Sequence, residues 1–133
     1  MNQKRILLVD DDPDQRLTLR LPLEAAGFSV CEAANFSEGL EAVNKVRPDL
    51  IILDVMMDSM TSGFQFALTI HSPDSEAEFK EFKNLPIIML TAIHSTTHLR
   101  FSPDEDYLPV EEFLEKPVDA EVLIKTVKKY LDH

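Results

Sequence analysis

Residues 48–63 read PDLIILDVMMDSMTSG and decide the fold of this chain. Four apolar residues at 50–53, two of them β-branched, are typical of a strand that is buried on both faces of a parallel sheet. This run stops at Asp54. A carboxylate at the point where a buried strand meets a loop is expected at the carboxyl edge of the sheet, where open α/β folds bind their ligands. Asp54 is therefore the first candidate for the chemistry of the chain.

Four further strands are predicted around this one, at residues 5–9, 28–33, 86–90 and 112–115. Each is a short run that is either continuously apolar or alternates between apolar and polar residues. Helical patterns separate the strands. Five strands that alternate with helices predict right-handed crossovers and one parallel sheet covered on both faces, the doubly wound α/β class.

The first two helices are predicted from their boundaries and apolar faces. The first carries Leu17, Leu21 and the stretch from Leu23 to Ala26 on its core side, and Pro22 should kink or shorten it. The second begins after Asn35, which forms a capping box with Glu38. Both helices are expected to pack against the sheet.

The later helices are less regular. FQFALTIH at residues 64–71 is helix-like, and an acidic connection at residues 72–84 is interpreted as an insertion. Residues 94–111 contain two prolines and an acidic cluster, so a fourth helix there should be short or irregular. The chain closes with a helix at residues 119–131, whose predicted inward-facing residues are Leu123, Val127, Tyr130 and Leu131.

Composition narrows the class of protein. A chain of 133 residues has the size of one domain, predicted to cover residues 1–133. The net charge of −11 would repel nucleic acid and anionic lipid. Cys31 is the only cysteine and is expected to fill the core. With no apolar run long enough to span a membrane and no signal peptide, the predicted location is the cytoplasm.

Five polar residues come at the carboxyl ends of the predicted strands: Asp10, Asp11, Asp54, Thr91 and Lys116. Three carboxylates at one sheet edge repel each other, and a divalent cation with oxygen ligands, Mg²⁺ or Mn²⁺, would relieve that repulsion. Beside such a cation a carboxylate is a competent nucleophile toward phosphorus, which predicts an aspartyl phosphate at Asp54. Lys116 and Thr91 would bind two of the phosphoryl oxygens.

Each of these residues also has a purely structural interpretation. An Asp run before proline is often a helix cap, a lone threonine often caps a strand end, and a lone lysine is often solvated. Their joint occurrence at the ends of four strands favours a site. A zinc site at His71, His94 and His98 is disfavoured, because the helix that would align the last two is weakly predicted.

Four motifs, LLVDDDP, IILDVMM, PIIMLTA and EKPV, occur in this order along nearly the whole chain and resemble the receiver domain of two-component response regulators. The resemblance implies a flavodoxin-like sheet of order 2-1-3-4-5. It implies that Asp54 is the phosphoacceptor and that Mg²⁺ is held by Asp10, Asp11, Asp54 and the backbone carbonyl of Met56. It also implies that Thr91 is the switch hydroxyl, that Lys116 contacts the phosphoryl group, and that Phe113 is the rotating aromatic.

The resemblance also implies partners. A sensor histidine kinase or a phosphotransfer protein would donate the phosphoryl group, and a downstream protein or a second copy of the chain would bind the face around strand five. The chain would assist its own phosphorylation without being a conventional turnover enzyme. Asp58 stands where the family usually has a proline, and the irregular segment at residues 94–111 makes the partner surface unusual.

Two other functions are weighed against this one. A receiver-like interaction module that works unphosphorylated is disfavoured by the complete set of site residues. An aspartate-nucleophile phosphatase would need a second acid where Met56 stands, and the chain has no glycine-rich nucleotide loop. Met56 and Ile93 occupy the two positions that tune hydrolysis in the family, and their apolar side chains predict a long-lived phosphoryl-aspartate.

Overall fold

The computed structural model describes residues 3–55, 60–71, 82, 84–91, 112–116 and 118–131, leaving out the side chains of residues 55, 60–64 and 115. Five strands form one sheet in the order β2-β1-β3-β4-β5, and all four pairings are parallel. The predicted order 2-1-3-4-5 is confirmed. The strands are β1 (Arg5–Val9), β2 (Ser29–Ala33), β3 (Leu50–Val55), β4 (Ile87–Thr91) and β5 (Glu112–Glu115).

Four helices are described around this sheet: α1 (Pro13–Ala25), α2 (Phe36–Val46), α3 (Met60–Ile70) and α4 (Ala120–Leu131). The label α4 here belongs to the C-terminal helix. The predicted irregular segment at residues 94–111 and most of the connection at residues 72–84 lie outside the described residues. None of the described helices is long and apolar enough to cross a bilayer.

The sheet is covered on both faces, as the continuous apolar strands predict. Alternate residues of β3 face opposite sides, so Ile51 joins one buried cluster and Ile52 joins the other. The first cluster includes residues of α2 and α3 and the second includes residues of α1 and α4. Cys31 is half-buried against the first cluster, in keeping with its predicted place in the core.

The prediction of which α1 leucines face the core was wrong for Leu17 and Leu21 and is confirmed for Leu23. Leu19 and Leu23 are buried in the second cluster, whereas Leu17 and Leu21 are 53 % and 57 % exposed. Leucines at every second position form two pairs with helical i, i+4 spacing, and the two pairs point about 200° apart around the helix. The spacing of the leucines alone does not decide which pair is inward.

Two helix boundaries also differ from the predictions. Helix α1 continues through Pro22 to Ala25, so of the two predicted effects, a kink or a shortening, the shortening was wrong. Proline removes one backbone donor, but Leu23 is fully buried in the next position and holds the last turn on the sheet. Helix α3 begins at Met60, before Gly63, and therefore starts earlier than the apolar pattern indicated.

Helix α2 begins as predicted. The Asn35 side chain accepts a hydrogen bond from the backbone N–H of Glu38 at 2.8 Å. The Glu38 carboxylate accepts from the N–H of Ala34 at 2.9 Å, one residue earlier than in a standard capping box. These bonds fix the loop between β2 and α2, which borders the carboxyl edge of the sheet.

Candidate functional site

The predicted site residues that the structure describes lie at the carboxyl ends of four neighbouring strands, β1, β3, β4 and β5. Val9 pairs with Leu53, which places Asp10 and Asp54 side by side just beyond that pair. On the other side of β3, Thr91 pairs with Val55 in one direction and with Glu115 in the other. The parallel register thus brings Asp10, Asp11, Asp54, Thr91 and Lys116 to one edge of the sheet.

Asp54 and Lys116 form an ion pair across this edge. The Lys116 ammonium contacts Oδ1 of Asp54, whose side chain is only 2 % exposed. The backbone N–H of Lys116 donates to the carbonyl of Thr91 at 2.7 Å, so the lysine is held against the end of β4. A carboxylate buried to this degree needs a compensating charge, and Lys116 provides it.

Asp10 is held by its neighbours but is electrostatically strained. Its backbone N–H donates to the carbonyl of Ala33 at 3.0 Å, and its Oδ1 accepts from the N–H of Asp12 at 3.1 Å. Burial raises the pKa of Asp10 from 3.8 to about 7, and the negative charge of Asp54 adds to this effect. The N–H of Asp12 and the charge of Lys116 act in the opposite direction without cancelling it.

This edge has the donor set of a divalent-cation site. Oδ2 of Asp10 and Oδ2 of Asp54 are buried and have no hydrogen-bond partner among the described residues. Both aspartates line a cavity of about 170 Å³, together with Val9, Asp11, Ala34, Asn35 and Phe36. A cation between them would pair with both orphaned oxygens, so the residues present fit Mg²⁺.

The fit rests on two buried carboxylates. Asp11 is exposed at the rim of the cavity, and no three acidic, histidine or cysteine side chains gather into a metal-binding group within the described residues. Mg²⁺ commonly binds through one or two carboxylates and keeps several waters, so this set is sufficient in kind. Met56, whose carbonyl is a predicted ligand, lies outside the described residues.

The two predicted switch residues lie on adjacent strands. Thr91 is buried at the end of β4. Phe113 pairs with Met89 in the register and is half-buried against the first core cluster, on the α2 and α3 side of the sheet. Asp58 and Ile93 lie outside the described residues.

Arg16 contacts this edge and was not predicted from the sequence to do so. Its Nη1 donates to the backbone carbonyl of Asp10 at 2.6 Å, and its Nε donates to Glu32 at 2.7 Å. A signal was present, because a basic residue one turn into a helix that follows an acidic loop can reach back to that loop. Asn35 and Phe36 were also missed as lining residues of the cavity, since their positions predicted only a helix start.

Comparison with known proteins identifies one family. The family model of the response regulator receiver domain matches residues 6–128. Protein PilH of Pseudomonas aeruginosa is 30 % identical over 127 residues, covering 96 % of this chain and 97 % of PilH. The transcriptional regulatory protein GlrR of Escherichia coli is 35 % identical over 127 residues, covering 96 % of this chain but only 26 % of GlrR. The chain thus spans nearly all of some relatives and about a quarter of others.

Solved structures of response regulators have the same fold as this chain. The chemotaxis response regulator CheY4 of Vibrio cholerae matches with a TM-score of 0.77 and 31 % identity, covering 97 % of this chain and 99 % of CheY4. A CheY-like response regulator receiver domain protein from Methanospirillum hungatei matches with a TM-score of 0.75 and 26 % identity, covering 98 % of this chain and 95 % of that one.

Proposed function

Because the chain belongs to the response regulator receiver domain family of two-component systems, we propose that Asp54 accepts a phosphoryl group from a histidine kinase or a phosphotransfer protein. Receiver domains are signalling domains that interact with such donors and with downstream effectors, and they are not conventional enzymes. The observation that carries the proposal is the buried Asp54 carboxylate, which is paired with Lys116 through Oδ1 and has no partner for Oδ2 within the described residues.

In the proposed reaction, a carboxylate oxygen of Asp54 attacks the phosphorus atom of the donor. With a phosphohistidine donor, the phosphorus–nitrogen bond breaks and its electron pair stays on the imidazole nitrogen. Lys116, which contacts Asp54, would bind an oxygen of the arriving group. Thr91 lies at the same edge of the sheet, and its hydroxyl would donate a hydrogen bond to another phosphoryl oxygen.

Receiver domains generally bind Mg²⁺, and Asp10 and Asp54 would hold it here, with Asp11 and the backbone carbonyl of Met56 as the further ligands that family resemblance implies. Mn²⁺ would substitute. When bound, the cation neutralises the negative charge that develops on the phosphoryl oxygens. The position of the cation would be set by these two carboxylates. The backbone N–H of Asp10 is bonded to the carbonyl of Ala33, and the Asp54 side chain is paired with Lys116.

The proposed output is a change at β5. Movement of Thr91 toward the phosphoryl group would free space for Phe113 to turn further inward, because the two residues belong to paired strands. The face that includes β5 and α4 would then bind a downstream protein or a second copy of the chain. Since Met56 and Ile93 offer no group to orient water, we also propose that the phosphoryl-aspartate is long-lived and is lost slowly once the donor is removed.

Intact-mass measurement after incubation with acetyl phosphate and Mg²⁺ tests the phosphoacceptor. We expect one phosphoryl adduct on the native chain and none on Asp54→Ala. Asp12→Asn is the matched control, because it removes a charge at the same edge yet keeps an oxygen that can cap α1. It should still form the adduct.

An adduct that persists on Asp54→Ala would place the phosphoryl group elsewhere and contradict the assignment. If the native chain forms no adduct and binds no beryllofluoride with Mg²⁺, the protein works without phosphorylation.

A further inference from the structure

We propose that Arg16 is a positioning residue for the divalent-cation site, because its guanidinium, held by Glu32, fixes the backbone of Asp10. This inference rests on the proposed function, in which Asp10 is a metal ligand. It adds a residue outside the set of acidic, hydroxyl and lysine groups that the resemblance carries.

The contacts of Arg16 join three parts of the fold. The residue lies in the first turns of α1, its Nη1 donates to the Asp10 carbonyl at 2.6 Å, and its Nε donates to Oε1 of Glu32 on β2 at 2.7 Å. The Arg16 side chain is 16 % exposed and the Glu32 side chain 25 % exposed, so the pair is partly shielded from water. One guanidinium thus spans a strand and the loop that carries a proposed ligand, a geometry that the rigid fork of arginine allows.

Strand β2 consequently holds Asp10 at two points. The carbonyl of Ala33 accepts the N–H of Asp10 at 3.0 Å directly. Glu32, the preceding residue on the same strand, holds the Asp10 carbonyl indirectly through Arg16. The peptide groups on both sides of the Asp10 Cα are therefore fixed. The position of the Cα atom, from which the side chain extends, is fixed with them.

A fixed Cα position matters because Oδ2 of Asp10 is buried and has no partner among the described residues that would hold it in place. Within the described part of the chain, its position is set by the backbone and by the hydrogen bond that Oδ1 accepts from the Asp12 N–H. Mg²⁺ demands near-ideal octahedral geometry, so a small displacement of one carboxylate oxygen weakens binding. Groups that orient metal ligands typically change metal affinity by about 10- to 100-fold when removed.

Arg20 provides an internal comparison within the same helix. It donates to Oε2 of Glu32 at 2.6 Å and to Glu24 at 2.9 Å, and neither contact reaches Asp10. Arg16 and Arg20 therefore share the Glu32 carboxylate, but of the hydrogen bonds that the two arginines donate to described residues, only one, from Arg16, reaches the proposed ligand. A loss of metal affinity through general weakening of α1 would follow from removing either arginine.

Calorimetric titration with Mn²⁺ alone, and separately with Mg²⁺ alone, tests the inference on the unphosphorylated chain. We expect Arg16→Gln to weaken binding about tenfold and Arg20→Gln to leave it within about twofold of the native value. Arg16→Lys should also bind weakly, because one ammonium cannot reproduce the two divergent bonds of the guanidinium. The lysine variant serves as the test if Arg16→Gln does not fold.

A second readout separates positioning from catalysis. The Mg²⁺ concentration for half-maximal phosphorylation by acetyl phosphate should rise in Arg16→Gln, while the rate at saturating Mg²⁺ stays close to that of the native chain. Equal metal affinities for Arg16→Gln and the native chain, or equal losses for the two glutamine variants, would overturn the role of Arg16 and leave the proposed function standing. Failure of the native chain to bind either cation would overturn both.

Discussion

Asp10 carries a carboxyl group that folding removes from water and places beside a second carboxylate. Its pKa of about 7, against an ordinary value of 3.8, means that the folded chain keeps this proton over a pH range in which the unfolded chain has lost it. Stability from this group is complete below pH about 4 and falls as the pH rises through about 7. Without metal, ionised Asp10 therefore destabilises the fold at neutral pH.

Asp10→Asn should remove this penalty. The amide oxygen can still accept the N–H of Asp12, but the side chain no longer titrates. In chelator-treated protein we expect the variant to gain on the order of 2 kcal/mol over the native chain at pH about 8, and much less at pH about 5. Urea unfolding at both pH values measures the difference.

Asp11→Asn is the control for this experiment, because Asp11 is exposed at the same loop. Its effect should be small and nearly the same at both pH values. A gain for Asp10→Asn that does not grow with pH would show that the charge of Asp10 is not what destabilises the folded chain.

At the scale of the element, α1 shows how burial divides residues of one kind. Leu23 is fully buried and Leu21 is 57 % exposed, although they are two positions apart on the same helix. We expect Leu23→Ala to lower the free energy of unfolding by about 2–4 kcal/mol, through lost burial and the cavity it leaves. Leu21→Ala should change it by less than about 0.5 kcal/mol.

Denaturant unfolding of both variants checks this orientation of α1. The two substitutions delete the same atoms and leave the same helix-forming residue, so they differ only in burial. Equal losses for the two variants, or a larger loss for Leu21→Ala, would mean that the helix presents its other face to the sheet.

The same helix marks where sequence reasoning stops. The strands follow from sequence, because a run such as residues 50–53 is apolar at every position and admits one environment, burial on both faces. The orientation of α1 does not, since Leu17 and Leu19 are chemically alike and only the docked helix distinguishes them. Tertiary packing likewise overrides the local penalty at Pro22.

The residues of the candidate site likewise differ in whether the sequence alone predicts their place. Residues at strand ends can be placed from sequence, because parallel strands bring their carboxyl ends to one edge, and the structure brings Asp10, Asp54, Thr91 and Lys116 there. Arg16 could not be placed in this way. Its contact with Asp10 depends on the angle at which α1 crosses the sheet and on Glu32 of a different strand.

At the scale of the whole molecule, repulsion between like charges destabilises the folded state in two ways, through the net charge of the chain and through the buried carboxylates of the candidate site. A charge of −11 makes the compact chain repel itself, and two of the negative groups are buried at one sheet edge. Salt screens exposed charges but reaches buried ones much less. A monovalent salt and a divalent cation should therefore stabilise the chain by different routes.

We expect MgCl₂ to raise the melting temperature above the value reached in NaCl of equal ionic strength. At a free Mg²⁺ concentration about ten times the dissociation constant, binding to one site adds about 1.4 kcal/mol to the free energy of unfolding. This corresponds to a rise in melting temperature of roughly 5 °C for a domain of this size. Thermal unfolding in matched salt series measures the excess. Because screening acts on the whole surface and binding acts through Asp10 and Asp54, the excess should disappear in Asp54→Ala while the response to NaCl remains. An excess that survives in this variant would assign the effect of Mg²⁺ to the acidic surface instead of the candidate site.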